Sequence, residues 1–192
     1  SKDVVVVDPG DAIPVLNFLK EKNLNLKSIL ITHKHSDHIG GIEDLLNYYP
    51  KIKIYGPKNN FNFIYTIINN DELLKINELN IEFRVIATPG HTLDHVVFAD
   101  QDHLFCGDTL FGCGCGKLFE GSYSQMHSSL KTLSKLPTSI KVYCAHEYTK
   151  KNIEFALTQD KDNQYLIDRK RNLIDKDITL PSTLGEELKT NP

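Results

Sequence analysis

Four side chains that can bind a metal ion lie within six residues of the chain. They are His33, His35, Asp37 and His38. Imidazole nitrogen and carboxylate oxygen are the donors that zinc and related transition metals take in proteins. Residues two apart in an extended segment point the same way, so His33 and His35 can hold one ion, while Asp37 and His38 can face a second. The spacing therefore predicts a site for two metal ions.

Three further candidate ligands follow predicted strands and turns of small residues. They are His91, Asp108 and His146. Any one of them alone is more typical of an ordinary core or surface residue. Because each stands at a strand end, as the first four do, we expect them to join the same centre.

This pattern of seven residues resembles the metallo-β-lactamase superfamily, whose fold is an αββα sandwich with two mixed sheets face to face and helices outside. The resemblance covers almost the whole chain. It implies that one metal is held by His33, His35 and His91, and that Asp108 bridges the two ions. It also implies that the second metal is held by Asp37, His38 and His146.

Longer segments narrow the resemblance to one family, glyoxalase II, the hydroxyacylglutathione hydrolases. They are residues 106–111, 114–121, 143–149 and 180–184. The resemblance implies a thioesterase that hydrolyses S-2-hydroxyacylglutathione, in practice S-D-lactoylglutathione, within methylglyoxal detoxification. It also implies two divalent metal ions, of which zinc is preferred to iron or manganese. Two such ions can lower the pKa of a bridging water and present hydroxide as the nucleophile. No serine or cysteine nucleophile is then required.

The resemblance also assigns roles around the metals. Asp37 and Asp108 are the catalytic carboxylates, which orient metal and water. Lys117, Phe119 and Tyr148 are the substrate-binding residues. Where some relatives carry a tyrosine that contacts glutathione, Phe119 keeps the packing and loses the hydroxyl hydrogen bond.

Two other functions stay open at this point. One is a different hydrolase of the same superfamily, such as a lactonase or another thioesterase. The other is a truncated metal-binding domain with weak activity, because the resemblance implies a single domain over residues 1–192 that is short at both ends. The closely spaced Cys113 and Cys115 do not favour a separate zinc site, because no second pair accompanies them.

Composition excludes several classes of partner. The formal net charge is -3, so no general basic field attracts nucleic acid or anionic lipid. No apolar stretch approaches the roughly 18 residues of a membrane span. The four cysteines are too few for a secreted disulfide scaffold. We therefore expect a cytoplasmic monomer, and the resemblance to glyoxalase II implies that it acts on a small glutathione thioester.

Apolar patterning predicts the elements that position these residues. Strands are expected over residues 4–7, 28–32, 52–55, 81–85, 96–99, 104–106 and 141–144. Helices are expected over residues 12–22, 40–46 and 124–133, with a mostly helical tail from about residue 150. The first strand is expected to be buried on both faces, and the histidine cluster to lie in a loop. Residues 61–68 are apolar but do not distinguish helix from strand.

Overall fold

The protein is described over residues 2–192 by a computed structural model, in which the chain divides into two compact units. The first unit holds the residues up to Ala87 together with Asp94–Phe98. The second holds Thr88–Leu93 and Ala99–Pro192. Within the described residues, no helix is both long enough and apolar enough to cross a membrane. A single domain over residues 1–192 stays a prediction.

The first unit contains most of the strands and helices that apolar patterning predicts for it. In chain order they are β1 (Asp3–Val7), α1 (Ala12–Lys22), β2 (Asn25–Leu30), α2 (Ser36–Ile39), α3 (Ile42–Tyr48), β3 (Lys53–Gly56), β4 (Thr66–Ile67), β5 (Leu73–Ile76), β6 (Ile81–Ala87) and β7 (Val96–Ala99). The last residue of β7 belongs to the second unit. The patterning does not predict β5, which pairs antiparallel with β6. The ambiguous residues 61–68 form only the two-residue strand β4.

Strands β1 to β4 form a parallel sheet in that order. The register pairs Val7 with Leu30, so β1 and β2 end side by side. The prediction that β1 is buried on both faces is wrong, because all five of its residues are only half-buried. The reason is its position at the edge of the sheet, where one flank has no neighbouring strand.

Helix α1 begins after the N-cap residue Asp11. The Asp11 carboxylate accepts a hydrogen bond of 2.8 Å from the Ile13 amide, which satisfies one of the open donors of the first turn. The helix buries Ala12 and Leu19. Ile13, which the spacing places on the inner face, is exposed, because the inner stripe follows Ala12 instead.

The core of the first unit is aliphatic and is formed mainly by residues of α1, α3 and the parallel sheet. Its buried members include Leu19, Ile29, Ile31, Leu45 and Ile54. Burying one such side chain contributes about 1.5–3 kcal/mol. Two core residues, Ile29 and Ile31, lie directly before the histidine cluster, so packing fixes the backbone that carries the candidate ligands.

The second unit contains short strands and four helices. In chain order they are β8 (His103–Gly107), β9 (Leu110–Phe111), β10 (Gly114–Cys115), α4 (Tyr123–Leu133), β11 (Lys141–Cys144), α5 (Thr149–Gln159), α6 (Gln164–Leu173), β12 (Ser182–Thr183) and α7 (Leu184–Thr190). Helix α4 begins at a reciprocal cap between Ser122 and Gln125. The predicted helical tail is present as α5, α6 and α7.

Strands β8 and β11 are parallel, and the register pairs Gly107 with Cys144. Parallel strands present their carboxyl ends at the same edge of a sheet. Asp108 and His146 both follow these ends, so the strand pairing brings two candidate ligands together.

Candidate metal centre

His33 lies at the centre of a cluster of imidazole rings in the first unit. It is fully buried, and its Nε2 lies 3.1 Å from Nδ1 of His35. The ring of His38 lies 4.0 Å from that of His33, and the ring of His95 stacks on it at 4.7 Å. His95 therefore packs against a candidate ligand.

Asp37 and His38 lie on the short helix α2, where the sequence indicates a loop. Asp37 is exposed, whereas His38 is buried. Oδ2 of Asp37 lies 3.8 Å from Nε2 of His38. The structure thus brings these two predicted ligands together, although a turn of helix rather than a bend in a loop does so.

Asp8 contacts a candidate ligand, and sequence reasoning missed it. It follows β1 with a left-handed φ of 50°, a conformation that aspartate tolerates better than most residues. Its Oδ1 accepts from the Thr32 amide at 2.7 Å, and its Oδ2 accepts from Nδ1 of His38 at 2.9 Å. An ionised carboxylate only accepts, so Nδ1 of His38 carries the proton and Nε2 has the lone pair that a metal needs.

We expect Asp8→Ala to weaken metal binding about 10- to 100-fold, because an outer carboxylate that orients a histidine ligand typically contributes that much. Competition with a chromogenic chelator measures the affinity. Asp44→Ala, on the exposed face of α3, is the matched control and should bind metal normally. Wild-type affinity in Asp8→Ala would show that His38 needs no such orientation.

Asp108 lies between two histidines of the second unit. Its Oδ2 is 3.4 Å from Nε2 of His91, and its Oδ1 is 3.5 Å from Nε2 of His146. Asp108 and His91 are buried, and His146 is partly exposed. The turn before Asp108 passes through Gly107 at a φ of 47°, which favours glycine. Each oxygen of one carboxylate thus faces a different imidazole, which is the arrangement that a bridging ligand requires.

His91 is oriented by the backbone of a predicted substrate-binding residue. Its Nδ1 donates to the carbonyl oxygen of Lys117 at 2.6 Å, which leaves Nε2 directed at Asp108. The approach of the chain depends on Gly116, where a Cβ atom would overlap the Asp108 carbonyl oxygen. This close packing explains why a glycine precedes Lys117.

The three predicted substrate-binding residues lie beside the two histidines of the second unit. The Phe119 ring meets the His91 ring edge-on at 5.2 Å, and Nζ of Lys117 lies 5.0 Å from the centre of the Phe119 ring. Tyr148 stacks on the His146 ring at 4.9 Å. All three are exposed. Tyr148 therefore supports a candidate ligand and is also accessible to a substrate.

The cysteines offer no second chemistry. All four are free thiols, and the closely spaced pair differs in accessibility, since Cys113 is buried whereas Cys115 is exposed. Burial raises the pKa of Cys106 well above its usual value and that of Cys144 to about 11. These two thiols therefore remain protonated near neutral pH and are poor nucleophiles.

Glu147 bonds to a non-helical stretch of the chain rather than joining the candidate ligands. Its carboxylate accepts from the Thr179 amide at 3.0 Å and from the Thr179 hydroxyl at 2.6 Å. His103 pairs with Asp100 at 3.0 Å. Neither residue belongs to the candidate centre.

The donor atoms of His33 and His35 in the first unit are spaced as a divalent metal ion requires. Two zinc–nitrogen bonds of 2.0–2.1 Å in tetrahedral geometry separate the nitrogens by about 3.3 Å, close to the 3.1 Å between His33 and His35. A carboxylate oxygen of Asp8 lies within 4.8 Å of donor atoms of His33 and His38, but Asp8 accepts from Nδ1 of His38 and so orients a candidate ligand rather than adding to the donor set. Polar groups packed this closely without water are costly unless an ion or protons satisfy them.

Comparison with known protein families identifies the superfamily and the family of this chain. The family model of the metallo-beta-lactamase superfamily matches residues 1–146, so fold and site define a member of that superfamily. A second model, the hydroxyacylglutathione hydrolase C-terminus, matches residues 147–192. The chain belongs to the hydroxyacylglutathione hydrolase family, as its identity to curated relatives shows.

The chain is 46% identical over 194 residues to the hydroxyacylglutathione hydrolase of Photobacterium profundum, covering 98% of this chain and 76% of that protein. It is 47% identical over 194 residues to that of Shewanella loihica, covering 97% and 75%. The predicted family is therefore confirmed.

Solved structures confirm the predicted fold. The crystal structure of ETHE1 from Myxococcus xanthus has a TM-score of 0.74 at 26% identity, covering all of this chain and 74% of that one. The BLEG-1 B3 metallo-beta-lactamase has a TM-score of 0.73 at 24% identity, covering 100% of this chain and 88% of that one. The second likeness concerns the fold alone.

Proposed function

We propose that this protein hydrolyses S-2-hydroxyacylglutathione, in practice S-D-lactoylglutathione, to glutathione and D-lactate, as a step of methylglyoxal detoxification. Membership of the hydroxyacylglutathione hydrolase family over nearly the whole chain supports the substrate class. The observation that carries the chemistry is Asp108, whose two oxygens face His91 and His146 separately.

We propose that seven side chains hold two metal ions in the family's pattern. His33, His35 and His91 bind one ion, Asp37, His38 and His146 bind the other, and Asp108 is shared. When bound, the ions would lower the pKa of a water molecule and stabilise negative charge on the carbonyl oxygen of the thioester. Five imidazoles against two carboxylates favour zinc over manganese, which prefers oxygen ligands.

Other groups of the protein fix the protonated nitrogen and the orientation of two proposed histidine ligands. Asp8 and the Lys117 carbonyl each accept the Nδ1 proton of a histidine, which directs Nε2 of His38 and of His91 towards the ions. Asp37 and Asp108 act as oriented carboxylates and form no covalent bond with the substrate. Their role is therefore to position the reacting groups.

Hydrolysis adds the oxygen of water to the thioester carbon and breaks the carbon–sulfur bond. The sulfur leaves as the glutathione thiolate, which needs less protonation than an amine would, because the pKa of a thiol is about 8.5. No acyl-enzyme is needed. This agrees with the protonated state of the buried Cys106 and Cys144.

The substrate contacts that we propose come from the exposed residues around His91 and His146. The Lys117 ammonium group binds a carboxylate of glutathione, the Phe119 ring covers its apolar part, and the Tyr148 hydroxyl donates a hydrogen bond. The contact of Lys117 with the Phe119 ring keeps the ammonium group beside His91. Two of the proposed substrate contacts therefore lie beside His91, a proposed metal ligand.

We expect Lys117→Ala to raise KM about 10-fold and to change kcat less than threefold, because a contact made equally in ground and transition states affects KM alone. Steady-state hydrolysis of S-D-lactoylglutathione measures both constants. Lys151→Ala, an exposed lysine of α5, is the matched control. A loss confined to kcat would contradict the binding role of Lys117.

A comparison of three substrates tests the proposed function. The protein is assayed with S-D-lactoylglutathione, a simple lactone and a β-lactam, each before and after chelation. Turnover of the glutathione thioester alone, lost on chelation, is the expected result. Equal turnover of the lactone would overturn the assignment in favour of another hydrolase of the superfamily, and bound metal with no turnover would indicate a metal-binding domain.

Location and assembly stay predictions. We propose a cytoplasmic monomer, and the four free thiols agree with a reducing compartment. Size-exclusion chromatography with light scattering measures the assembly state.

A further inference from the structure

The second unit contains a buried ion pair outside the proposed centre. Arg169 of α6 is 3% exposed and Glu187 of α7 is 2% exposed. Nη2 of Arg169 donates to Oε1 of Glu187 at 2.7 Å. Burial alone would lower the pKa of Arg169, but the hydrogen bond and charge of Glu187 outweigh it and raise the pKa. The Arg169 guanidinium therefore stays charged where charge is costly, and the Glu187 carboxylate lies against it.

The pair does more than join two helices, because it also holds the backbone at Cys113. Oε2 of Glu187 accepts from the Cys113 amide at 2.8 Å, and Nη1 of Arg169 lies 3.2 Å from Cys113 Sγ. Nη1 also donates to the Thr190 hydroxyl at 2.6 Å. Cys113 has a φ of 56°, a conformation that costs a residue with a side chain about 1 kcal/mol or more. The surrounding contacts must supply that energy.

Cys113 begins the stretch that reaches the proposed centre, residues 113–119, which we term the 113–119 segment. The Gly116 amide donates to the Thr109 carbonyl at 3.2 Å, the Lys117 carbonyl accepts from His91 at 2.6 Å, and the Phe119 amide donates to the His91 carbonyl at 3.1 Å. The two glycines of the segment, at positions 114 and 116, have no side chains to anchor it. Backbone contacts therefore hold the segment: Gly114 and Cys115 pair with β9, Asn191 donates to the Gly114 carbonyl at 3.0 Å, and the start is held at Cys113.

A purely structural role is a poor explanation for charges at this position. An apolar pair of similar volume often stabilises a buried site as well as or better than an ion pair does. An apolar pair has no acceptor for the Cys113 amide and no donor for Cys113 Sγ. The charged pair supplies both in fixed directions.

We propose that Arg169 and Glu187 are positioning residues that act through Cys113, holding the 113–119 segment so that Lys117 meets the substrate and its carbonyl meets His91. This inference rests on the proposed function only in that KM reports glutathione binding. The anchoring of the segment itself can be measured without any substrate.

The test is the paired variant Arg169→Met with Glu187→Met, which removes both charges and leaves neither unpaired. We expect it to fold with unchanged metal content. Hydrogen exchange in the 113–119 segment, followed by mass spectrometry, should be at least about 10-fold faster, while peptides of α4 exchange as in the wild type. KM for S-D-lactoylglutathione should rise about fivefold, with kcat within about twofold.

Arg171→Met is the matched control, because Arg171 lies on the same helix and forms an exposed pair with Asp168. It should leave exchange and KM unchanged. If the paired variant does not fold, Arg169→Lys takes its place, since lysine keeps the charge but lacks the planar fork that reaches Glu187, Cys113 and Thr190 together. Arg169→Lys should show the same changes in hydrogen exchange and KM, but smaller ones.

A folded variant with wild-type exchange in the 113–119 segment would overturn the proposal, whatever its activity. Faster exchange with an unchanged KM would also overturn it, because the segment would then be anchored without positioning Lys117. A wild-type protein that does not hydrolyse the thioester would refute the proposed function, and the exchange result would still decide whether the pair anchors the segment.

Discussion

Asp108→Ala should lower kcat for S-D-lactoylglutathione by more than about 100-fold, beyond the 10- to 100-fold that outer-shell partners of a metal ligand typically contribute. The reason is that Asp108 presents one oxygen to His91 and the other to His146 at 3.4 and 3.5 Å. Without that carboxylate, neither ion of the proposed pair keeps its shared ligand. Steady-state kinetics and metal analysis of the same preparation measure the effect.

Two further variants sharpen this test. Asp108→Asn keeps the shape and removes the charge, so it should lose metal as well. Asp102→Asn, in an exposed turn six residues earlier, should behave as the wild type. Asp108→Ala with near-normal kcat and full metal content would contradict the bridging role.

Removal of the metal by a chelator should abolish hydrolysis and lower the Tm by roughly 10 °C. A ligand present at about 1,000 times its Kd stabilises the folded state by about 4 kcal/mol, and each kcal/mol shifts the Tm of a protein of this size by about 2–4 °C. The imidazoles around His33, where nitrogens of His33 and His35 lie 3.1 Å apart, would lose the ion that offsets the burial of their polar groups. Differential scanning calorimetry measures the shift.

The control for chelation is the same chelator already saturated with zinc, which should change neither activity nor Tm. Adding zinc back to the stripped protein should restore both. A protein shown by metal analysis to be free of transition metals, yet with unchanged Tm and turnover, would exclude a metal role in folding and catalysis alike.

The ligand pattern was predictable from sequence because it is local. His33, His35, Asp37 and His38 occur in one run, and an extended backbone places His33 and His35 on the same side. The structure places their nitrogens 3.1 Å apart. The downstream residues were predictable only because each follows an apolar strand. The parallel register of β8 and β11, which brings Asp108 to His146, was not apparent from the residues.

The residues that were missed act through distant pairing. Asp8 looks like a turn residue until the register of β1 and β2 sets it beside Thr32 and His38. Arg169 and Glu187 look like solvated helix residues, because charge patterns on a helix normally indicate an exposed face. Only the packing of α6 against α7 shows that both are buried. Short-range patterns do not contain this information.

The most direct test of the central claim is a titration of metal-free protein with zinc while the hydrolysis of S-D-lactoylglutathione is followed. We predict that activity rises until two zinc ions per chain are bound and then stays constant. An activity that reaches its maximum at one ion, or that does not depend on metal at all, would contradict a centre of two ions bridged by Asp108.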